Sequence, residues 1–166
     1  MKILVVLGDG GHSTEMIELV KSLGPNYEYS YMMLTTDLVS AGMIVWPGTI
    51  YRVQRPISKG QLDHGLFRAI FQRRLFHMLY AFLQQVIVWF KVQPRVILST
   101  GAVVSVPISI FGKLLGTKII HVETGARVFT MSFTGKLMYR VADLFFVQWE
   151  PLMKEYPKAI YAGRLM

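Results

Sequence analysis

The sequence predicts an open parallel α/β sheet of the Rossmann-like kind. Short apolar runs alternate with helically spaced apolar positions. The runs are continuous rather than alternating in polarity, and glycine or small-residue turns follow three of them. Strands covered on both faces read as unbroken Val, Ile and Leu, and strand–helix alternation packs them in parallel with right-handed crossovers. At 166 residues the chain makes a single domain, 1–166, able to bury a core without staples. No internal repeat, low-complexity stretch or interdomain linker divides it.

The first run, residues 2–7, is a buried strand ending in the turn 8–11. Ser13 is the expected N-cap of a helix whose Met16, Ile17, Val20 and Leu23 keep helical spacing until Gly24-Pro25 stops it. Residues 29–35 form a second strand and 51–54 a short third, followed by a loop at 55–65. One long helix is expected over 66–92, ending before Pro94. A strand at 96–99 runs through the turn Thr100-Gly101-Ala102 into a helix over 103–115, where Pro107 is tolerated in the first turn. Strands at 118–122, 144–148 and 159–162 alternate with helices near 134–141 and 151–155. Ligands of such sheets sit at the carboxyl ends of the strands, where loops 8–12, 99–105 and 123–127 fall.

Composition narrows the function. Hydrophobic residues make up 52% of the chain and the mean hydropathy is +0.39, which calls for a further buried surface: a partner, a membrane or both. The absence of cysteine excludes disulfides and thiolate metal sites, and no metal-ligand spacing is visible. The N-terminal run is too short and wrongly flanked for a signal peptide, so the protein is expected to face the cytosol. The net charge of +8 is concentrated. Arg52, Arg55, Lys59, Arg68, Arg73, Arg74, Lys91 and Arg95 face only Asp63 within that stretch, and are interleaved with Phe67, Phe71, Phe76, Phe82, Trp89 and Phe90. No nucleic-acid motif accompanies the charge; basic and bulky apolar residues on one helix fit a membrane surface better.

Projected at helical pitch, Arg73, Arg74, His77, Gln84, Gln85 and Lys91 gather on one side of 66–92. Phe71, Leu75, Leu79, Phe82, Val86 and Phe90 centre on the other. The apolar arc is wider than the roughly 100° stripe that packing on a sheet requires. One face is therefore expected in the domain and the other at lipid, with Phe67, Arg73, Arg74 and Phe76 facing the membrane. Uninterrupted apolar runs fall short of the ~20 residues of a span, and Gln84-Gln85 would stand mid-bilayer.

Gly8-Asp9-Gly10-Gly11-His12-Ser13 joins the first strand to the first helix. Glycines let backbone approach a ligand closely, and the helix N-terminus favours an anion such as phosphate. A P-loop is excluded because no Gly-Lys-Ser/Thr follows. A dinucleotide fingerprint fits poorly, since Ser13 stands where its third glycine belongs, although Asp37 is placed to mimic the ribose-binding acid. His12 can donate to phosphate or take a hydroxyl proton near neutral pH.

Together the three loops resemble a known family. Gly10-Gly11-His12, the stretch from Thr100 through Gly101 and Ser105 to Pro107, and His121-Val122-Glu123-Thr124 resemble the N-terminal, acceptor-binding domain of inverting GT-B glycosyltransferases that add N-acetylglucosamine to the peptidoglycan lipid precursor. Residues 8–16, Glu123-Thr124-Gly125-Ala126-Arg127 and the ending Tyr161-Ala162-Gly163-Arg164 are similar to single-domain relatives: the membrane-anchoring subunit of the two-part enzyme adding the second N-acetylglucosamine to a dolichol-linked oligosaccharide, and bacterial counterparts in capsule and exopolysaccharide synthesis. The second loop departs from the peptidoglycan enzymes in having one glycine, Gly101. Eukaryotic relatives, at the endoplasmic reticulum membrane, carry an N-terminal membrane helix, whereas this sequence starts at the first strand; the expectation is a bacterial or archaeal-type version, anchored peripherally on the cytoplasmic face of the plasma membrane.

The resemblance implies the N-terminal half of a GT-B enzyme whose UDP-sugar donor is supplied through a partner subunit in a heterodimer, with no covalently bound cofactor. It implies a polyprenyl-diphosphate-linked sugar as acceptor. Gly8, Gly10, Gly11, Ser13, Thr100, Gly101 and Ser105 would hold the diphosphate. His12 and Glu123 are the candidate bases, and Glu15, Thr124 and Arg127 would support the acceptor sugar or its loop. A non-catalytic scaffold for a complete partner transferase and a dinucleotide-binding oxidoreductase are the alternatives.

Overall fold

The computed structural model describes residues 1–8, 10–55 and 69–165, with backbone alone for 69–74. Its strands are β1 (Lys2–Val6), β2 (Glu28–Leu34), β3 (Gly48–Val53), β4 (Val96–Thr100), β5 (Lys118–Val122), β6 (Leu144–Val147) and β7 (Ile160–Tyr161). Its helices are α1 (Gly11–Leu23), α2 (Ala69–Val92), α3 (Ser105–Leu114), α4 (Phe133–Val141) and α5 (Pro151–Glu155), with a 3-10 turn at Ser40–Met43. The strands pair in the order β3-β2-β1-β4-β5-β6-β7, every pair parallel.

The open parallel α/β architecture is as expected, and most element bounds agree within two residues. The exceptions are the start of α1, at Gly11, and β3, which starts at Gly48. β3 is an edge strand with an exposed first half, so its early residues carry no hydrophobic signal. The 3-10 turn was not anticipated. Asp37 Oδ1 builds it by accepting from the amides of Val39 (3.1 Å) and Ser40 (2.9 Å).

Because side chains alternate along each strand, the core falls into two layers. Ile3, Val5, Leu7, Tyr29, Tyr31, Met33 and Leu98 pack with Met16, Ile17 and Val20 of α1 on one face. Leu4, Val6, Met32, Ile97, Ile119 and Phe145 pack with Val88, Ile108, Met138 and Leu152 of α2 to α5 on the other. The chain runs outward from β1 to β3, returns through α2 to β4, and then runs the opposite way. This reversal sets the carboxyl ends of β1 and β4 side by side, where such sheets form their ligand crevice.

The α1 face is covered incompletely. Between α1 and the chain end lies an apolar groove of about 420 Å³, lined by Leu19, Leu23, Ile120, Val122, Leu144 and Phe146 among others. The other face has its own apolar excess. The described part of α2 buries only the stripe Ala81, Gln85, Val88 and Val92, and its Trp89 and Phe90 rings meet Phe111 of α3 edge-on. Phe76 is 72% exposed, Leu79 51% and Phe90 59%. Leu75–Val92 is long and apolar enough to cross a membrane by length and composition, with 22% of it buried. Gln85 is nevertheless turned wholly into the domain, and Gln84 Oε1 accepts from the Gln54 amide at 2.8 Å. Gln84 thus ties the crossover helix to the end of β3, and the helix leaves its apolar arc outward. Of the residues expected to face lipid, Phe76 does point outward; Phe67 and the side chains of Arg73 and Arg74 lie outside the described residues.

Candidate functional site

The two loops at the crevice are locked together by their own polar groups. Gly10, with φ 61°, is the N-cap of α1. The helix therefore starts before Ser13, which corrects the expected cap at that residue. The buried Ser13 hydroxyl donates to the Gly8 carbonyl and accepts from Ser40 Oγ at 2.7 Å. Thr100 Oγ1 donates to the His12 carbonyl (2.7 Å), and Ser105 Oγ to the Ala102 carbonyl (2.7 Å). Ser13, Thr100 and Ser105 are buried, so their hydroxyls build the cradle rather than line it, a correction to their expected contact with a diphosphate. What remains for an anion is backbone at the starts of α1 and α3. A Cβ placed on Gly10 or Gly11 would meet nothing within 4 Å, so the outer side of this loop is open.

His12 stands at the centre of this arrangement. Its ring lies so close to Gly101 that a Cβ there would fall 2.5 Å from His12 Cε1 and 2.7 Å from Nδ1. Gly101 adopts φ 55°, a left-handed conformation that favours glycine, so this residue serves both the turn and the close approach. A Cβ on Gly8 would meet those of Ala102 (2.6 Å) and His12 (2.9 Å). The single glycine of the second loop is thus the one its contact with His12 demands.

Beneath His12 lies His121, whose role sequence reasoning missed. Fully buried on β5, it pairs in register with Ser99, and its Nδ1 lies 2.7 Å from Ser99 Oγ. Burial, and then the positive charge of His12, push its pKa down to about 3, which keeps the ring neutral near pH 7. A polar residue at matching positions of two central strands was the available signal.

Glu123, the second candidate base, is fully buried. Its Oε1 accepts from the Ser132 amide at 3.3 Å, at the N-cap of α4, and a Cβ on Gly135 would overlap its Oε2. Burial raises its pKa, partly offset by bonds from Ser132 and Thr124 and by the charge of Arg127. A carboxylate at a helix start stabilises that helix through its dipole. Glu15 Oε1 accepts from the Gly125 amide (2.7 Å) and from Thr124 Oγ1 (3.2 Å), tying α1 to 123–127. Arg127 is exposed at the loop's end. Asp37 is buried and engaged in capping, so it is not presented as a ribose-binding acid. Burial opposes its charge, but bonds from Ser40 and Val39 and the nearby Arg52 outweigh this and hold its pKa below the usual carboxylate range.

A parallel sheet with its crevice at the β1–β4 reversal and a histidine wedged between two glycine turns defines the class: one Rossmann-like domain of the GT-B type. MurG from Acinetobacter baumannii superposes with a TM-score of 0.67 at 17% identity, over 90% of this chain and 42% of that one. The UDP-GlcNAc 2-epimerase from Methanocaldococcus jannaschii also gives 0.67 at 17% identity, over 99% of this chain and 46% of its own. The chain spans less than half of each of these proteins.

The chain belongs to the family of oligosaccharide biosynthesis proteins described as Alg14-like, whose profile matches residues 3–165. The human protein named UDP-N-acetylglucosamine transferase subunit ALG14 is 32% identical over 181 residues, covering 100% of this chain and 83% of that one. Its Candida albicans counterpart is 30% identical, over 99% and 78%.

Proposed function

We propose that this chain is the acceptor-binding subunit of a two-polypeptide, UDP-sugar-dependent glycosyltransferase acting at a membrane surface. N-acetylglucosamine is the sugar that the names of its relatives point to. The observation that carries the reading is the seat of His12 against Gly101, between two helix starts at the crevice of a half-GT-B chain.

The acceptor is a polyprenyl-diphosphate-linked sugar. Its diphosphate lies against the open side of the Gly10-Gly11 turn, where backbone amides and the dipoles of α1 and α3 favour negative charge. The Nδ1–Cε1 edge of His12 is turned toward Gly101, and in this reading Nε2 serves the acceptor hydroxyl. As the hydroxyl oxygen attacks the anomeric carbon, its proton passes to Nε2. The carbon–oxygen bond to UDP breaks from the opposite face, and its electron pair leaves with the nucleotide. Neutral His121 behind His12 adds no competing positive charge.

The donor is held by the partner, and two features support a partner and a membrane. The groove beside α1 is an apolar sheet face without its covering layer, and the outward arc of α2 is a second apolar surface. With the groove joined to the partner and α2 resting on the cytoplasmic leaflet, the crevice is held near the lipid anchor of its substrate.

The test is sugar transfer from UDP-N-acetylglucosamine to a polyprenyl-diphosphate-linked N-acetylglucosamine, with this chain and its partner purified separately and combined. Activity is expected from the pair alone, and His12→Ala should lower turnover by about 10²-fold. Full activity of the partner by itself would make this chain a scaffold. Wild-type turnover in His12→Ala would remove that residue from the chemistry.

A further inference from the structure

The loop 123–127 is held from two sides. Glu15 grips it from α1, through the Gly125 amide. From behind, two consecutive residues after β6 hold its carbonyls: Gln148 Nε2 donates to Glu123 O at 3.1 Å and Trp149 Nε1 to Gly125 O at 2.7 Å. The same two side chains hold the C-terminal segment. Gln148 Oε1 accepts from the Leu165 amide at 3.0 Å, and the Arg164 guanidinium sits 4.3 Å over the Trp149 ring.

The physical consequence lies in the Gln148 amide. It is planar, so the oxygen that receives Leu165 N–H and the nitrogen that donates to Glu123 move as one body. Gln148 is 3% exposed, so losing either bond strands a buried polar atom, which is costlier than breaking an exposed contact. Rotating the amide to follow the segment takes its N–H away from the loop; the two bonds form and break together. Gly125 leaves little slack, since a Cβ there would lie 3.3 Å from Gln148 Oε1 and 3.2 Å from Glu15 Oε1. By contrast, Arg164 is exposed, and a cation–π contact at such a site is weak. The segment is thus fastened by contacts that binding energies of ordinary size can release.

We propose that Gln148 and Trp149 are positioning residues that make the geometry of loop 123–127 conditional on the seating of the C-terminal segment 163–165. This rests on the reading that the loop borders the acceptor site. Seating the segment orients the Gln148 amide, and the amide with Trp149 fixes the two carbonyls of the loop opposite Glu15. When the segment lifts, the loop relaxes and the acceptor sugar loses its support.

Amide hydrogen exchange on the intact chain tests the coupling without any ligand. Leu165→Pro removes the N–H that Gln148 accepts, and Arg164→Ala removes the cation on Trp149. Combined, they are expected to speed exchange at Gly125 and Arg127 by about five- to tenfold, with α3 and β1 unchanged. Arg164→Lys in the Leu165→Pro background should recover part of the protection. If the proline variant does not fold, Gln148→Glu keeps an acceptor for Leu165, removes the donor to Glu123, and should loosen the loop alone. In the reconstituted pair at saturating partner, the same variants should raise KM for the lipid-linked acceptor by about tenfold, with kcat within about twofold. Unchanged exchange at Gly125 and Arg127 overturns the proposal. Faster exchange with an unchanged acceptor KM upholds the latch and removes the loop from the acceptor site, so the two readings fail separately.

Discussion

Replacing Gly101 with alanine should separate the chemistry of this site from its stability. The new Cβ would stand 2.5 Å and 2.7 Å from Cε1 and Nδ1 of His12, closer than any real carbon contact. Holding alanine at φ 55° costs about 1–2 kcal/mol. The atoms it meets are at the end of a half-buried ring that can swing aside, so little steric cost is added. Melting should fall by about 2–8 °C for a chain of this size. The displaced imidazole should nevertheless lower turnover by about 10²-fold, as a shift of about 1 Å in a reacting group does. Gly8→Ala is the contrasting perturbation. Its Cβ meets the Cβ atoms of Ala102 and His12, which are fixed to backbone and cannot swing. The loss is then one of stability, about 1–3 kcal/mol, and adding Ala102→Gly should recover part of it. Thermal melts read beside single-turnover sugar transfer by the reconstituted pair decide the matter. Wild-type turnover in Gly101→Ala, with the melting loss present, would refute the placement of His12 at the reacting hydroxyl.

Two further outcomes follow from the same geometry. His121 has its folded pKa near 3 against 6.5 for the ordinary ring, so between these values the unfolded chain binds a proton that the folded chain does not. Stability must therefore rise with pH across this window, by up to about 2 kcal/mol between pH 5 and 6.5. Glu123, with a raised pKa, works in the opposite sense: its contribution is present below the ordinary value of 4.5 and is lost as pH rises through the folded pKa. Denaturant titrations at several pH values should show a shallower acid loss in His121→Phe than in the wild type; an unchanged slope would mean that the ring protonates in place. On α2, Phe76→Ser with Leu79→Ser and Leu83→Ser should abolish flotation with anionic vesicles while leaving the melting temperature nearly unchanged, because all three side chains are exposed. Undiminished flotation would move the membrane contact elsewhere.

Much of the fold was legible, for a local reason. Strands such as 3–6 and 97–98 are buried on both faces and must be apolar throughout, and the helices between them must carry a 3.6-residue stripe, so each element is written in its own neighbourhood. Legibility failed where burial did. The exposed first half of β3 carried no signal, and the turn at Ser40–Met43 depends on one carboxylate oxygen. The wide apolar arc of α2 was read correctly as exceeding what a sheet can cover, whereas the inward turn of Gln85 and the bond from the Gln54 amide to Gln84, two residues of its polar side, depend on packing that helical spacing does not carry.

The sequence by itself determined the layered sheet, the three turns at its carboxyl edge and the presence of His12 among them, because backbone turns and strand burial are imposed by nearby residues. Only the tertiary structure decided which polar groups are spent on the scaffold and which face a ligand. Ser13, Thr100, Ser105 and Glu123 all carry reactive-looking groups, yet each finds a partner inside the protein: Ser13 and Ser105 within 5 residues along the chain, Glu123 across 9 to a helix start, and Thr100 at 88 positions' remove. The physical reason is that a buried polar atom must be satisfied wherever the packing puts it, and packing between β1, β4 and β5 is a property of the sheet that no stretch of sequence carries alone.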